Sequence, residues 1–311
     1  MAETMKVAYV FPGQGSQVVG MGRDLYDNFK SAQAIFSQAD ETLGFALSKL
    51  CFEGPEDELR QTINAQPALA TVSFACLEAA REASGKNGLP PAAFVAGHSL
   101  GEYIALVAAG VLDFATTVYL ARERGRLMYQ AGLSKPGGMV AIIGLDEASV
   151  AEVCCETDTR IANINCPGQI VISGARGNLA KAADLAKANG AHRAIPLQVS
   201  GAFHTPLMQS AFEGMSQILA ALSLNKPLIP IIANTTAQPI STAQAIKEEL
   251  LNQLCHCVQW QRSIEYMTSG GVNIFIEIGP GKVLSGLIKR INKNVNTVNI
   301  GDTQAIQNIA G

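Results

Sequence analysis

Ser99 stands between Gly97 and Gly101 in the stretch VAGHSLGEY, at the end of a short apolar run. A serine hydroxyl is a weak nucleophile until a base sits within hydrogen-bond reach, and its attack on a carbonyl needs donors for the oxyanion that forms. The flanking glycines suit that use. At a sharp strand-to-helix turn, side chains two residues to either side of the nucleophile would clash. The turn would point the hydroxyl at the start of the next helix, where the Leu100 N–H and the helix dipole favour negative charge. The competing reading is a glycine-rich turn whose serine only caps a helix.

Four histidines are candidates for the base. His98 adjoins the serine, so its side chain should leave the turn in another direction. His192 lies on a strand in the middle of the chain, and His256 sits between Cys255 and Cys257. His204, in VSGAFHTPLM, falls where the chain passes from one structural region to another, and a cleft between regions is where base and substrate meet. His204 is the preferred base; its competing reading is a polar loop residue. No acid completing a triad is evident, and Glu277, at the end of the run FIEIG, is the candidate.

Arg124 stands out in the helical stretch DFATTVYLARERGRLMYQ. At about 100° per residue it falls on the apolar side with Leu120, Leu127 and Met128, while Arg122 and Arg126 fall opposite. Such an arginine either snorkels its head to water or waits, buried, for a carboxylate it can hold with two hydrogen bonds. Other motifs fail. GQGSQV from Gly13 has Val18 at the third glycine of a dinucleotide fingerprint, and GPGKV from Gly279 has Val283 where a phosphate loop needs Ser or Thr. Both read as loops at the carboxyl ends of strands. Cys255-His256-Cys257 lacks a second ligand pair, so no metal is expected.

The elements that must position these residues alternate. KVAYVF from Lys6 and AAFVAGH from Ala92 read as buried strands, with a helix over PALATVSFACLEAAREAS that Pro67 would open. From Gly138 the order becomes strand, helix, two strands, helix, strand, ending with HRAIPL, which is the ferredoxin-like pattern. Residues 134–200 therefore read as a small α+β subdomain inserted into a larger parallel-sheet α/β domain of residues 1–133 and 201–311. After it come a helix over about 206–222, a strand at LIPIIA, helices near Ala243 and Arg262, the strand VNIFIEIG, the helix KVLSGLIKRINK and the strand VNTVNI.

The 311 residues are 48% hydrophobic and 16% charged, with net charge −3, which supports a sizeable core and argues against nucleic-acid binding. No apolar run is long enough to span a membrane, and the N-terminus shows no signal-peptide pattern. Seven cysteines, an odd and scattered set, suit reduced thiols in the cytoplasm.

Seven stretches occur in one order along the chain: FPGQGSQ (11–17), GHSLGEY (97–103), RGRLM (124–128), NINCPGQIVISG (163–174), GAFH (201–204), VQW (258–260) and EIGPGKVL (277–284). Together they resemble the malonyl-CoA:acyl-carrier-protein transacylases. The resemblance implies a hydrolase-like parallel-sheet domain with a ferredoxin-like insertion. It implies Ser99 as nucleophile, His204 as base, Gln14 and Leu100 N–H groups as the oxyanion hole, and Arg124 on the malonyl carboxylate. It also implies Asn165 near the substrate and the backbone carbonyl of Gln259 orienting the histidine, so that serine and histidine act as a dyad. Malonyl-CoA and an acidic, phosphopantetheinylated acyl carrier protein would be the partners, with no metal or redox cofactor. Lys282, Lys289, Arg290 and Lys293 offer a carrier-docking face or an ordinary solvated one. One departure is Cys257, where the family commonly has proline. GAFH resembles equally the malonyl-selective domains of polyketide synthases, so polyketide supply is an alternative. The rival enzyme is a serine thioesterase or esterase, against which a buried Arg124 argues, and a non-catalytic carrier-binding subunit is the rival outside enzymes.

Overall fold

Short apolar runs with no polar alternation need cover on both faces, which a parallel sheet between helices provides. The computed structural model describes residues 5–85 and 88–310. Its strands are β1 (Val7–Phe11), β2 (Ala92–Gly97), β3 (Gly137–Ile143), β4 (Arg160–Cys166), β5 (Gln169–Ala175), β6 (Arg193–Pro196), β7 (Ile231–Ile232), β8 (Pro239–Ile240), β9 (Ile274–Ile278) and β10 (Asn296–Ile300). All five residues of β1 are buried. One sheet has the order β10-β9-β1-β2-β7-β8 and is parallel except for the short β7–β8 pair. Phe11 pairs with Gly97, so the loops after β1 and β2 leave the same carboxyl edge side by side.

The second sheet runs β4-β5-β3-β6 and is antiparallel throughout, which is the ferredoxin-like order. Alternation sorts its two faces. Val140, Ile142, Ile170 and Ile172 pack under the helices Glu147–Thr157 and Arg176–Ala188. Met139, Ala141 and Val171 join the core of the large sheet. A bridge between Asn163 and Val258 ties the small sheet to the chain ahead of the helix Trp260–Ser269.

Several boundaries differ from the sequence reading. The helix expected to open at Pro67 begins five residues earlier and runs Thr62–Ser84, with Pro67 inside it. The proline has no N–H for the Ile63 carbonyl, and Arg122 Nη1 donates there instead, at 2.9 Å. LIPIIA shrinks to two strand residues because Pro230 cannot donate to a ladder; its carbonyl still accepts the Val95 N–H at 3.0 Å. The helix expected from 206 divides into a 3-10 turn, Pro206–Met208, and an α-helix, Gln209–Ala220. Strand β8 and the helix Thr303–Ala310 were not anticipated.

Candidate active site

β2 ends at Gly97, and the chain turns through His98 and Ser99 into the helix Gly101–Ala108. Ser99 has φ of 51°, a left-handed conformation that costs a side-chain-bearing residue about 1–2 kcal/mol and survives only where its surroundings enforce it. A Cβ on Gly97 would lie 1.9 Å from the Gly101 carbonyl carbon, and one on Gly101 2.1 Å from the Phe11 carbonyl oxygen. Both positions must be glycine for the turn to close against β1. Asn234, just past β7, clamps it: its Oδ1 accepts the Ser99 N–H at 2.8 Å and its Nδ2 donates to the Gly97 carbonyl at 2.8 Å. Sequence reasoning missed Asn234, whose only signal is its place after a strand at the same sheet edge.

Ser99 Oγ lies 2.9 Å from His204 Nε2, and His204 Nδ1 lies 2.5 Å from the Gln253 main-chain oxygen. With the Nδ1 proton donated to that carbonyl, Nε2 presents its lone pair to the serine hydroxyl. Burial first, then the charge of Arg124, pushes the His204 imidazole down to about 3, so the ring is held neutral.

The orienting carbonyl therefore belongs to Gln253 and not to Gln259. The Gln259 carbonyl accepts the N–H and hydroxyl of Ser263, at 2.9 and 3.0 Å, at the start of the helix Trp260–Ser269. Gln253 lies in the last turn of the helix Ala243–Cys255, where carbonyls lack a partner along the helix and stay open to side chains. Glu277 is no third member either. Its buried carboxylate accepts the N–H groups of Leu284 and Ser285, at 3.0 and 2.8 Å, and so caps the helix Val283–Ile291.

Arg124 is 1% exposed, in contrast to the partly exposed Arg122 and Arg126. Its Nη2 donates to Ser99 Oγ at 3.0 Å and to Gln253 Oε1 at 2.6 Å, and its Nη1 donates to Gln66 Oε1 at 2.7 Å. The guanidinium lies 5.5 Å from the Tyr103 ring centroid, within range of a cation–π contact. Beyond it is a buried carboxyl: Glu102 accepts from the Asn234 N–H at 3.1 Å and from Gln253 Nε2. Burial, then the charge of Glu249, raises the Glu102 carboxyl well above the ordinary carboxylate range.

Ser99, Gln14, Leu100, Arg124, Asn163 and His204 are among the residues around a cavity of about 80 Å³. The loop bearing Gln14 is held against the elbow, since the His98 N–H donates to the Phe11 carbonyl at 3.0 Å. A larger pocket of about 420 Å³ shares Gln14, Leu197 and Val199 with this cavity, and Arg60 and Gln198, hydrogen-bonded to each other, are also among its lining residues. Asn165 does not line the cavity. The register of β4 shifts between Ile164 and Cys166, and the Asn165 side chain bonds His98 Nε2 at 2.9 Å. Asn163 takes the lining position, and its buried Oδ1 has no partner among the described residues. His256 bonds its own helix through Asn252 O at 2.8 Å, and His192 lies against Gly144 in the small sheet. Among the described residues no three His, Cys, Asp or Glu side chains are grouped to hold a metal ion.

An elbow serine at the carboxyl edge of a parallel sheet, roofed by an inserted antiparallel sheet, is the architecture of hydrolase-like acyl-group transferases. The acyl transferase domain family matches residues 8–304, and the chain belongs to that family. Among its relatives, the malonyl CoA-acyl carrier protein transacylase of Bacillus subtilis (strain 168) is 47% identical over 307 residues, covering 97% of this chain and 95% of the relative. An acyl carrier protein S-malonyltransferase from Vibrio cholerae O1 superposes with a TM-score of 0.93 at 41% identity, covering 98% and 99% of the two chains. A malonyl-transacylase solved in complex with a type II polyketide acyl-carrier protein superposes at 0.94 with 39% identity, over 98% and 99%.

Proposed function

We propose that the protein moves the malonyl group of malonyl-CoA to the phosphopantetheine thiol of an acyl carrier protein through a malonyl-serine intermediate, supplying fatty acid synthesis. The observation that carries this reading is the buried Arg124, hydrogen-bonded to the hydroxyl that would bear the acyl group. His204 Nε2 takes the Ser99 proton as Oγ attacks the thioester carbonyl. The N–H groups of Gln14 and Leu100 hold the oxyanion, and His204 returns the proton to the departing CoA sulfur. The carrier thiol then gives its proton to His204 and attacks the acyl-serine, which restores the free hydroxyl. The malonyl carboxylate pairs with Arg124; an acetyl group leaves that charge buried and unpaired, which costs several kcal/mol.

The carrier approaches over the helix Val283–Ile291, where Lys282, Lys289, Arg290 and Lys293 are exposed and the Gly281 backbone adjoins Ser16 of the loop bearing Gln14. Lys289 and Arg290 also serve the fold, donating to Val295 O at 2.5 Å and Gln169 Oε1 at 2.7 Å. Seven free cysteines suit a cytoplasmic setting. Residues 134–200 act as an inserted subdomain roofing the site.

Intact mass after mixing with malonyl-CoA tests the reading. A single malonyl adduct should form, be absent in Ser99→Ala, and discharge to holo-carrier faster than to water. Discharge to water at the same rate would mark a thioesterase instead.

A further inference from the structure

The helices Thr62–Ser84 and Phe114–Ser134 approach closely at Gly125, where a Cβ would lie 2.6 Å from the Thr62 carbonyl oxygen. That approach sets Gln66 beside Arg124, each 1% exposed. Arginine only donates, so the Gln66 atom facing it must be the amide oxygen. The other end of the amide agrees. Gln66 Nε2 donates to Thr62 Oγ1 at 3.1 Å and faces Met128 Sδ at 3.3 Å, while Thr62 Oγ1 donates onward to Gln14 Oε1 at 2.7 Å.

Every acceptor that Arg124 touches is neutral: the amides of Gln66 and Gln253 and the hydroxyl of Ser99. Buried arginines are ordinarily paired with a carboxylate. Here Glu102 reaches Arg124 only through the Gln253 amide. No ion pair of the described residues includes Arg124, and its buried Nε has no partner among them.

We infer that Gln66 is a specificity-determining positioning residue: its neutral oxygen holds Arg124 in place without neutralising it, so the charge is completed only by a carboxylate on the incoming acyl group. The inference rests on the proposed malonyl reading. A glutamate at this position has nearly the same shape but would pair with Arg124 permanently. A malonyl carboxylate would then meet an occupied guanidinium and a like charge. An acetyl group would lose its handicap, because no uncompensated buried charge would remain. Gln66→Leu separates charge from contact, since it removes the hydrogen bond and leaves Arg124 uncompensated.

The test follows acyl-serine formation by intact mass in the full chain and in Gln66→Glu and Gln66→Leu, over a range of malonyl-CoA or acetyl-CoA concentrations. Gln66→Glu should lower the malonyl-over-acetyl ratio of kcat/KM about a hundredfold, chiefly through the half-saturating malonyl-CoA concentration, while acetylation stays at least as fast as in the parent. Gln66→Leu should keep the ratio within about tenfold. In an Arg124→Ala background, Gln66→Glu should change the ratio no further. An unchanged ratio in Gln66→Glu, an equal fall in Gln66→Leu, or the same fall without Arg124 would overturn the inference. Acetylation is the folding control: its loss in both Gln66→Glu and Gln66→Asp would also overturn it. A parent that forms no malonyl adduct ends the malonyl reading itself, whereas a selective parent with an indifferent Gln66→Glu ends only this inference.

Discussion

Two regions bury a full charge, and they handle it in opposite ways. At the end of β9, the Glu277 carboxylate meets two backbone N–H groups at the start of the helix Val283–Ile291, so the donors orphaned by helix geometry and the acid satisfy each other. Beside the elbow, Arg124 meets two amide oxygens and a hydroxyl, and one of its nitrogens meets nothing. The first arrangement is complete without a ligand and belongs to the fold. The second positions a charge and leaves it uncompensated, a tolerable cost where a substrate supplies the missing partner.

Removing each charge should therefore give opposite readouts. Arg124→Ala should lower the malonyl-over-acetyl ratio of kcat/KM by about two orders of magnitude. Its urea midpoint should be unchanged or higher, because an uncompensated buried charge is gone. A preference that survived would sink the contrast. Glu277→Ala should do the reverse. It should lose about 2–4 kcal/mol of stability, read as a lower urea midpoint at constant slope, because the buried Leu284 N–H and the half-buried Ser285 N–H are orphaned. Its acyl preference should stay at the parent value; a shifted preference would mean that the two regions are coupled.

The smallest effect concerns His204, which burial and the neighbouring charge of Arg124 keep neutral. In the unfolded chain its imidazole titrates near ~6.5, whereas in the fold it is held at about 3. Between these values the unfolded chain binds a proton that the native protein refuses. Stability should therefore fall as pH drops below 6.5, by at most ~1.4 kcal/mol per pH unit from this one group. His204→Gln should flatten that slope in pH-resolved urea melts. An unaltered slope would show that the ring is already charged in the fold.

Local features of this site were legible in the sequence because local geometry dictates them. Gly97 and Gly101 are required by a turn of five residues, and Arg124 is betrayed by a step of 100° against Leu120 and Met128. His204 followed from its place between regions. Gln253 was not legible, because the atom it contributes is a backbone carbonyl that every residue owns. What selects it is the helix end at Cys255 and the reach of an imidazole 49 residues away in sequence. The family resemblance points to Gln259 instead, whose carbonyl accepts from Ser263 in the fold. Asn165, placed near the site by the resemblance, bonds His98 beside the cavity, and it is Asn163 that lines the cavity itself.

The sequence by itself determined the alternation of elements, the elbow and the residue types able to carry acyl chemistry, since each depends on neighbours within a few positions. Only the tertiary structure decided which carbonyl aims His204, that Asn234 clamps the elbow, and that Arg124 is held by neutral partners alone. Those facts depend on approaches between elements far apart in the chain. One of them, at Gly125 against Thr62, leaves no trace in either helix read alone.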